Sequence, residues 1–176
     1  MANMFKKADV FNQDLISWGV SYVTNLSNTF NDTDAFNQNL SNWDVSSVTN
    51  MTSMFSSVSA FNNGNVPLNW GNKTQNVTMM QSMFQGSSSF NQNISSWNVG
   101  NVTNMRTMFS GASAFNQDIS VWVTSSVTTM NGMFLNATTF NKNLSYWNVN
   151  LINDCVDFSN GATSWKQSQP SFSNCD

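Results

Sequence analysis

The side chains that enzymes use most often for proton transfer are scarce in this chain. All nine acidic residues are Asp, and the sequence contains neither Glu nor His. Asp14, Asp44 and Asp118 do not pair at a spacing typical of general acid–base catalysis, and a Ser-His-Asp triad needs a histidine. Calcium-loop patterns are missing as well. We therefore expect a protein that is not an enzyme and that binds no metal or cofactor.

Two cysteines lie near the C-terminus, Cys155 and Cys175. Their separation excludes a CxxC-type redox or metal motif. We predict that they form a disulfide that closes the last segment. In the chain-entropy model, such a disulfide stabilises the fold by about 3 kcal/mol. Two buried free thiols are the alternative. A disulfide favours an oxidising compartment.

The charges of the chain are few and scattered. Charged residues make up 9% of the sequence, and its formal net charge is −3. The cationic residues are Lys6, Lys7, Lys73, Arg106, Lys142 and Lys166. Nucleic-acid binding needs clustered cations, and a membrane span needs about 20 consecutive apolar residues. Neither pattern is present, and the N-terminus lacks an apolar stretch of signal-peptide length. We expect no nucleic-acid partner and no membrane insertion.

One eight-residue pattern recurs along the chain, as FNQDLISW, FNQNLSNW, FNQNISSW and FNQDISVW. Phe-Asn pairs begin at Phe11, Phe36, Phe61, Phe90, Phe115 and Phe140, and Trp follows seven residues later in all but the third copy. That copy carries a four-residue insertion and reaches its Trp70 two residues late. Such self-similarity is typical of stacked repeats. We predict a single repeat domain over 1–176, with units at 4–28, 29–53, 54–82, 83–107, 108–132 and 133–157, and a degenerate C-terminal cap at 158–176.

The pattern inside one unit predicts a strand followed by a helix. In the second copy, apolar residues lie at i, i+3, i+6, i+7 and i+10, which is a helical stripe: Val48, Met51, Met54, Phe55 and Val58. Before the stripe, Trp43 and Val45 alternate around Asp44 as in a short strand. The sequence therefore predicts an α/β solenoid of about six to seven units of 25 residues, with one short parallel strand and one short helix in each.

Stacking also explains the Asn that follows each Phe. Unpaired backbone groups inside the array would cost about 1–3 kcal/mol each, and side-chain amides can bridge adjacent turns. The predicted ladder consists of Asn12, Asn37, Asn62, Asn91, Asn116 and Asn141.

Three further columns have both a functional and a structural interpretation. The Trp column resembles a platform for sugar rings, and the Met column, from Met51 to Met133, resembles a soft-metal site. We assign both to core packing. The Thr column, from Thr24 to Thr128, resembles an ice-binding array, but we assign it to helix starts. Asn-x-Ser/Thr tripeptides such as those at Asn93 and Asn101 follow from the repeat consensus.

The residues on either side of each Trp vary from unit to unit, while the core positions do not. Variation on a fixed frame is how stacked repeats present a binding surface. The predicted partner-binding face comprises Asn42, Asp44, Ser96, Asn98, Val121, Val123, Tyr146 and Asn148. An ordinary solvated face is the alternative. Val121, Val123 and Tyr146 form its apolar cluster, where we expect recognition to centre.

The unit resembles the BspA-type leucine-rich repeat, also called the DUF285 surface-protein repeat. Its form, MF-x-x-A-x-x-FN-x-x-I-S-x-W-x-V-S-x-V-T-N-M, is matched here by MFSGASAFNQDISVWVTSSVTTM, and the resemblance covers residues 4 to about 165. It implies a right-handed leucine-rich-repeat solenoid. It also implies a group found in surface proteins of bacteria, mycoplasmas and protists and in some large DNA viruses. Departures include the insertion in the third unit and Thr124 in place of Val.

These observations lead us to expect a non-catalytic protein-interaction or adhesion module at the cell surface or outside the cell. Its partner would be a protein, such as a host surface protein or neighbouring copies of the chain, rather than a carbohydrate. The alternative is a structural component of a virion or surface assembly, whose apolar first unit stacks on a neighbouring chain or on further repeats.

Overall fold

A computed structural model describes residues 1–173 and 175, and in it the repeats stack on one another in register. Seven coils begin at the equivalent positions Met1, Leu26, Met51, Met80, Met105, Met130 and Cys155. Between the fourth and fifth coils, the N–H groups of Ser82, Phe84 and Gly86 donate to carbonyls 24 residues later, over 2.8–2.9 Å. Equivalent bonds join all of the remaining pairs of adjacent coils.

The predicted α/β solenoid of short strands and short helices is wrong, and the right-handed leucine-rich-repeat fold inferred from the resemblance is not supported. In the described part of the chain, the helices are two 3-10 helices, Asn63–Asn65 and Gly71–Thr74, both in the third coil. Parallel pairing is limited to isolated bridges between adjacent coils. They join Asn25 to Asn50, Asn50 to Met79, Met79 to Asn104, Asn104 to Thr129 and Thr129 to Asp154.

The apolar stripe predicted as a helix is a run of β-turns. In the fourth coil, the N–H groups of Met83, Gln85 and Ser87 donate to carbonyls three residues earlier. Such a run brings side chains to the same side every three or four residues, so its apolar spacing matches that of a helix. The predicted strand around Trp43 is also interrupted by turns, because Trp43 N–H bonds to the Leu40 carbonyl.

Backbone geometry explains why a helix does not form. In every coil, two residues four positions apart have φ between 49° and 74°, and the third coil has further such residues at its insertion. A right-handed helix excludes this left-handed conformation, which Gly, Asn and Asp tolerate best. The pairs are Asn3 and Lys7, Asn28 and Asp32, Ser53 and Ser57, Ser82 and Gly86, Thr107 and Gly111, Gly132 and Asn136, and Asp157 and Gly161.

Two columns of stacked Phe rings run through the interior. One column contains Phe5, Phe30, Phe55, Phe84, Phe109 and Phe134, and the other contains Phe11, Phe36, Phe61, Phe90, Phe115 and Phe140. Ring centroids are 5.4–6.0 Å apart along each column and 3.8–4.3 Å apart between columns within a coil. Each ring therefore packs against the rings of the coils above and below it.

The indoles form a third buried column, which confirms their interpretation as core. Each Nε1–H of the inner indoles donates to a Leu or Ile carbonyl of the preceding coil over 2.9–3.2 Å. The pairs are Trp43 with Leu15, Trp70 with Leu40, Trp97 with Leu68, Trp122 with Ile94 and Trp147 with Ile119. Trp18, in the first coil, is the exception and is 39% exposed.

The prediction for the Met column is confirmed, and the prediction for the Thr column is wrong. The eight Met side chains from Met51 to Met133 at the column positions are buried in the core, which confirms their packing role. The Thr residues from Thr24 to Thr128 do not begin helices, because no helix follows them. They are exposed and precede the bridging residues directly.

The C-terminal segment lies on the last coil. The Phe172 ring packs edge-on against Phe158 with centroids 4.9 Å apart, and Pro170 is buried. Cys175 is bonded to Cys155, at the start of the seventh coil. Among the described residues, no helix is both long and apolar enough to cross a lipid bilayer.

Candidate interaction face

The residues that flank each core Trp face outward because the indole between them is fixed in the interior. Before Trp97, a turn closed by its N–H and the Ile94 carbonyl exposes Ser96; after it, Asn98 is exposed. Of the predicted face, Asn42, Ser96, Asn98, Val121, Val123, Tyr146 and Asn148 are exposed, and Asp44 is half-buried. The stacking places these residues in two parallel columns across four coils.

Most polar members of the face are held in place by hydrogen bonds. Asn98 Oδ1 accepts from Gly100 N–H at 3.1 Å, and its Nδ2 donates to Asn72 Oδ1 at 2.8 Å. Asn148 Oδ1 accepts from Asn150 N–H at 3.1 Å. Ser96 Oγ donates to Asn69 Oδ1 at 3.2 Å. The face is therefore a preorganised polar surface.

A cluster of exposed apolar side chains interrupts this surface in the fifth and sixth coils. Val121 is 69% exposed, Val123 62% and Tyr146 88%. Val121 and Tyr146 occupy equivalent positions in adjacent coils, whose indoles Trp122 and Trp147 stack with centroids 6.3 Å apart. We call Val121, Val123 and Tyr146 the apolar patch.

A shallow cavity of about 220 Å³ lies next to the face, where the insertion of the third coil meets the fourth coil. It is lined by Pro67, Asn69, Asn93, Ser95 and Ser96. The lining has amide and hydroxyl groups and no charged side chain. In the described part of the chain, no group of three His, Cys, Asp or Glu side chains is placed to hold a metal ion.

Two carboxylates on this side of the molecule have lowered pKa values. Hydrogen bonds from the hydroxyl and the N–H of Ser46 lower the pKa of Asp44. The N–H of Ser120, at 2.9 Å, and its hydroxyl lower the pKa of Asp118. In both cases the donors favour the ionised carboxylate.

The asparagines after each Phe form a continuous ladder at another side of the stack. Each side-chain Oδ1 accepts from the backbone N–H of the next Asn along the column, over 2.8–3.0 Å. The ladder runs through Asn12, Asn37, Asn62, Asn91, Asn116 and Asn141. Asn141 Oδ1 extends it by accepting from Lys166 N–H at 2.8 Å.

The repeat sequence matches a known protein family. DUF285, described as a Mycoplasma protein of unknown function, matches residues 1–73 and 68–172. The chain belongs to the DUF285 family. No curated protein and no solved structure matches it.

Sequence reasoning missed one residue that shapes the face of this DUF285 chain. Asn63, in the insertion, is fully buried and accepts from Leu40 N–H at 2.8 Å. Its Nδ2 donates to the Val66 carbonyl at 2.9 Å and to Ser41 Oγ at 3.0 Å. These bonds fix the loop that forms one wall of the cavity. The only signal was that the third copy has Asn where other copies have Gln or Lys after Phe-Asn.

We expect Asn116→Ala to destabilise this DUF285 chain by about 1–3 kcal/mol, because Asn141 N–H loses its acceptor. Urea denaturation monitored by Trp fluorescence measures the change. Asn153→Ala, at an exposed position outside the ladder, is the control and should alter stability little. Equal stability of Asn116→Ala and the wild type would contradict the structural role of the ladder.

Asp118→Asn tests the ionised carboxylate of the same DUF285 chain. Asn93 in the equivalent position still accepts from Ser95 N–H, so the substitution should keep the turn. Because the folded-state pKa of Asp118 is lowered from 3.8, its charge stabilises the fold at higher pH, and this stabilisation is lost as the pH falls through the folded-state value. We expect the Tm advantage of the wild type to shrink from neutral to strongly acidic pH. An advantage that grows on acidification would contradict this assignment.

Proposed function

We propose that this chain is a non-catalytic protein-interaction or adhesion module that binds a protein partner through the face beside the Trp column. The observation that carries the proposal is the apolar patch. Val121, Val123 and Tyr146 are largely exposed, whereas the equivalent positions of the second and fourth coils hold the polar residues Asn42, Asp44, Ser96 and Asn98. Core packing does not explain these three side chains.

The physical character of the patch suits a protein partner. Tyr is enriched among the residues that dominate binding energy, and such residues work best when polar neighbours surround them. The side chains are presented by stacked coils with many cross-coil hydrogen bonds, so little ordering is needed on binding. Carbohydrate binding has less support, because the inner indoles that could stack on sugar rings are buried.

We further propose that the repeat is of the BspA type and that the chain is displayed outside the cell or on its surface. The match of MFSGASAFNQDISVWVTSSVTTM to that repeat pattern supports the first statement. The Cys155–Cys175 disulfide supports an oxidising environment. A BspA-type repeat unit in this chain does not fold as a strand followed by a helix.

A second candidate function is that of a structural component of a virion or surface assembly. It is favoured by the exposed apolar side chains of the first coil, Met4, Val10, Trp18 and Tyr22. In this case the partner would be a neighbouring chain, bound end to end.

The first candidate is tested by comparing the wild type with V121S/V123N/Y146S, which replaces the patch by polar residues. The control V10S/Y22S removes exposed apolar side chains away from the face. Quantitative pull-down from a surface-protein extract identifies partners, and biolayer interferometry then gives the Kd of each. We expect the patch variant to bind about 10-fold more weakly or worse, and the control to bind normally. Equal binding by all three chains, or no specific capture, would overturn the proposal.

A further inference from the structure

The Thr column does not begin helices, which removes the reason for setting an ice-binding array aside. Thr49, Thr78, Thr103 and Thr128 are exposed, and each directly precedes a residue that forms a parallel bridge to an adjacent coil. The N–H of each donates to the carbonyl of the preceding Thr in the column over 2.9 Å, from Thr24 onward. Because parallel pairing sets neighbouring chains about 4.7–4.9 Å apart, the column repeats at a short and regular distance.

A second column of polar side chains runs beside the first. Two residues before each of the four Thr residues stand Ser47, Asn76, Asn101 and Ser126. The residue between the two columns is a buried Val in every case, namely Val48, Val77, Val102 and Val127. Since an inward Val points the residues on either side of it outward, four successive coils present both columns to solvent. We call the two columns together the hydroxyl–amide face.

The side chains of this face are held in one repeated arrangement. In the second column, the two Ser hydroxyls donate to carbonyls of the preceding coil over 2.6 Å, and the two Asn amides donate to such carbonyls over 2.8 Å. In the first column, each Thr hydroxyl donates to the carbonyl of the preceding Thr over 3.1–3.3 Å. The face is therefore ordered before any partner binds, which lowers the entropy cost of binding.

The fold itself gives little reason for Thr at these exposed positions. The carbonyl that accepts from each hydroxyl already accepts a shorter bond from the N–H of the same Thr, so the hydroxyl is not needed to satisfy it. The residues beside the Trp column vary between coils, whereas the same Thr recurs in five successive coils, from Thr24 to Thr128. An exposed polar residue that does not vary points to binding.

The chemistry of the face selects its partner. None of its eight side chains is charged, so it offers nothing specific to a charged polymer. A folded protein has no surface that repeats with every coil, and it would therefore gain nothing from the repetition. Ice does repeat in this way, because its oxygens form a rigid, uncharged lattice whose shortest repeat is close to the spacing of paired parallel chains. Each Thr hydroxyl oxygen keeps lone pairs that can accept hydrogen bonds from such a lattice.

We propose that the hydroxyl–amide face binds the surface of ice. The Thr oxygens take the places of water molecules at the edge of the lattice, and the adsorbed chain hinders further growth of the crystal there. A turn closed by Val127 N–H and the Thr124 carbonyl at 3.0 Å separates this face from Val123 of the apolar patch. The inference is therefore independent of the proposed protein partner.

Partition into slowly growing ice tests the proposal on the full chain. We expect the wild type to enter polycrystalline ice grown from dilute solution, whereas an unrelated folded protein stays in the liquid. In a nanolitre osmometer, the wild type should lower the freezing point below the melting point and produce faceted crystals. V121S/V123N/Y146S should behave as the wild type does. Wild type that stays in the liquid and leaves the freezing point unchanged would overturn the proposal.

Thr103→Tyr locates the binding surface. A bulky ring in the middle of the face destroys its match to a lattice, and because Thr103 is exposed, the fold should be kept. We expect this variant to lose most of the freezing-point depression and to stay in the liquid. The matched control Thr139→Tyr, at an exposed position outside the face, should keep both activities. Urea denaturation checks folding, and if Thr103→Tyr does not fold, Thr78→Tyr decides.

Two further results would contradict the assignment of this face. One is equal ice binding by Thr103→Tyr and the wild type, or an equal loss in Thr139→Tyr. The other comes from sedimentation with crystalline cellulose, a regular uncharged polysaccharide. Wild type that pellets with cellulose and does not enter ice would assign the face to a polysaccharide instead.

Discussion

Trp97→Ala should lower the free energy of unfolding by about 3–5 kcal/mol, as expected for removing a fully packed aromatic side chain. The indole stacks on Trp70 with centroids 5.2 Å apart and lies 6.2 Å from the Phe84 ring. Its loss leaves a cavity between two coils and removes the donor to the Leu68 carbonyl. Urea denaturation followed by far-UV circular dichroism measures the change.

Trp97→Phe separates the two causes. Phe fills most of the space but has no N–H, so the Leu68 carbonyl keeps only its bond from Trp70 N–H at 3.1 Å, and we expect a loss of about 0.5–1.5 kcal/mol. Trp18→Ala is the matched control, because this indole lies in the first coil and is partly exposed. A cost for Trp97→Ala no greater than that for Trp18→Ala would show that the inner indoles do not hold the stack together.

The inward-facing residues could be predicted from the sequence because stacking demands repetition. A side chain that contacts its own counterpart in the next coil must recur at the repeat length, and the Phe and Trp columns do so. The four-residue insertion before Trp70 did not hide this, since that indole still bonds to the preceding coil. The core of the molecule follows from the 25-residue step alone.

The path of the backbone could not be predicted in the same way. Apolar residues at i, i+3 and i+7 satisfy both a helix and a run of β-turns, and only the left-handed residues distinguish the two. Gly86 and Gly111 gave that signal, but Thr107 and Lys7 occupy left-handed positions as well. Long-range hydrogen bonds between coils select the turns, and single-residue preferences do not report such bonds.

The candidate face was predictable in position and less so in detail. Fixing each indole inward forces its neighbours outward, so the exposure of Val121 and Val123 follows from the Trp column. Asp44 is more buried than expected and lies beside the third coil, which carries the insertion. No periodic argument can place the side chains of an insertion, because an insertion has no counterpart in the other coils.

Asn63→Ala should therefore have an effect that no repeat analysis would suggest, a loss of at least about 3 kcal/mol in the free energy of unfolding. The buried Leu40 N–H and the Val66 carbonyl would both lose their partner, at about 1–3 kcal/mol each. Asn63 also has φ of 52°, where Ala is strained by about 1–2 kcal/mol. Asn63→Gly avoids the strain but does not restore the two lost hydrogen bonds. It should therefore be more stable than Asn63→Ala by the strain energy alone. The control Asn69→Ala, in the same loop region but exposed, should change stability little. Full recovery in Asn63→Gly on urea denaturation would show that the backbone conformation, rather than the buried amide, makes this residue necessary.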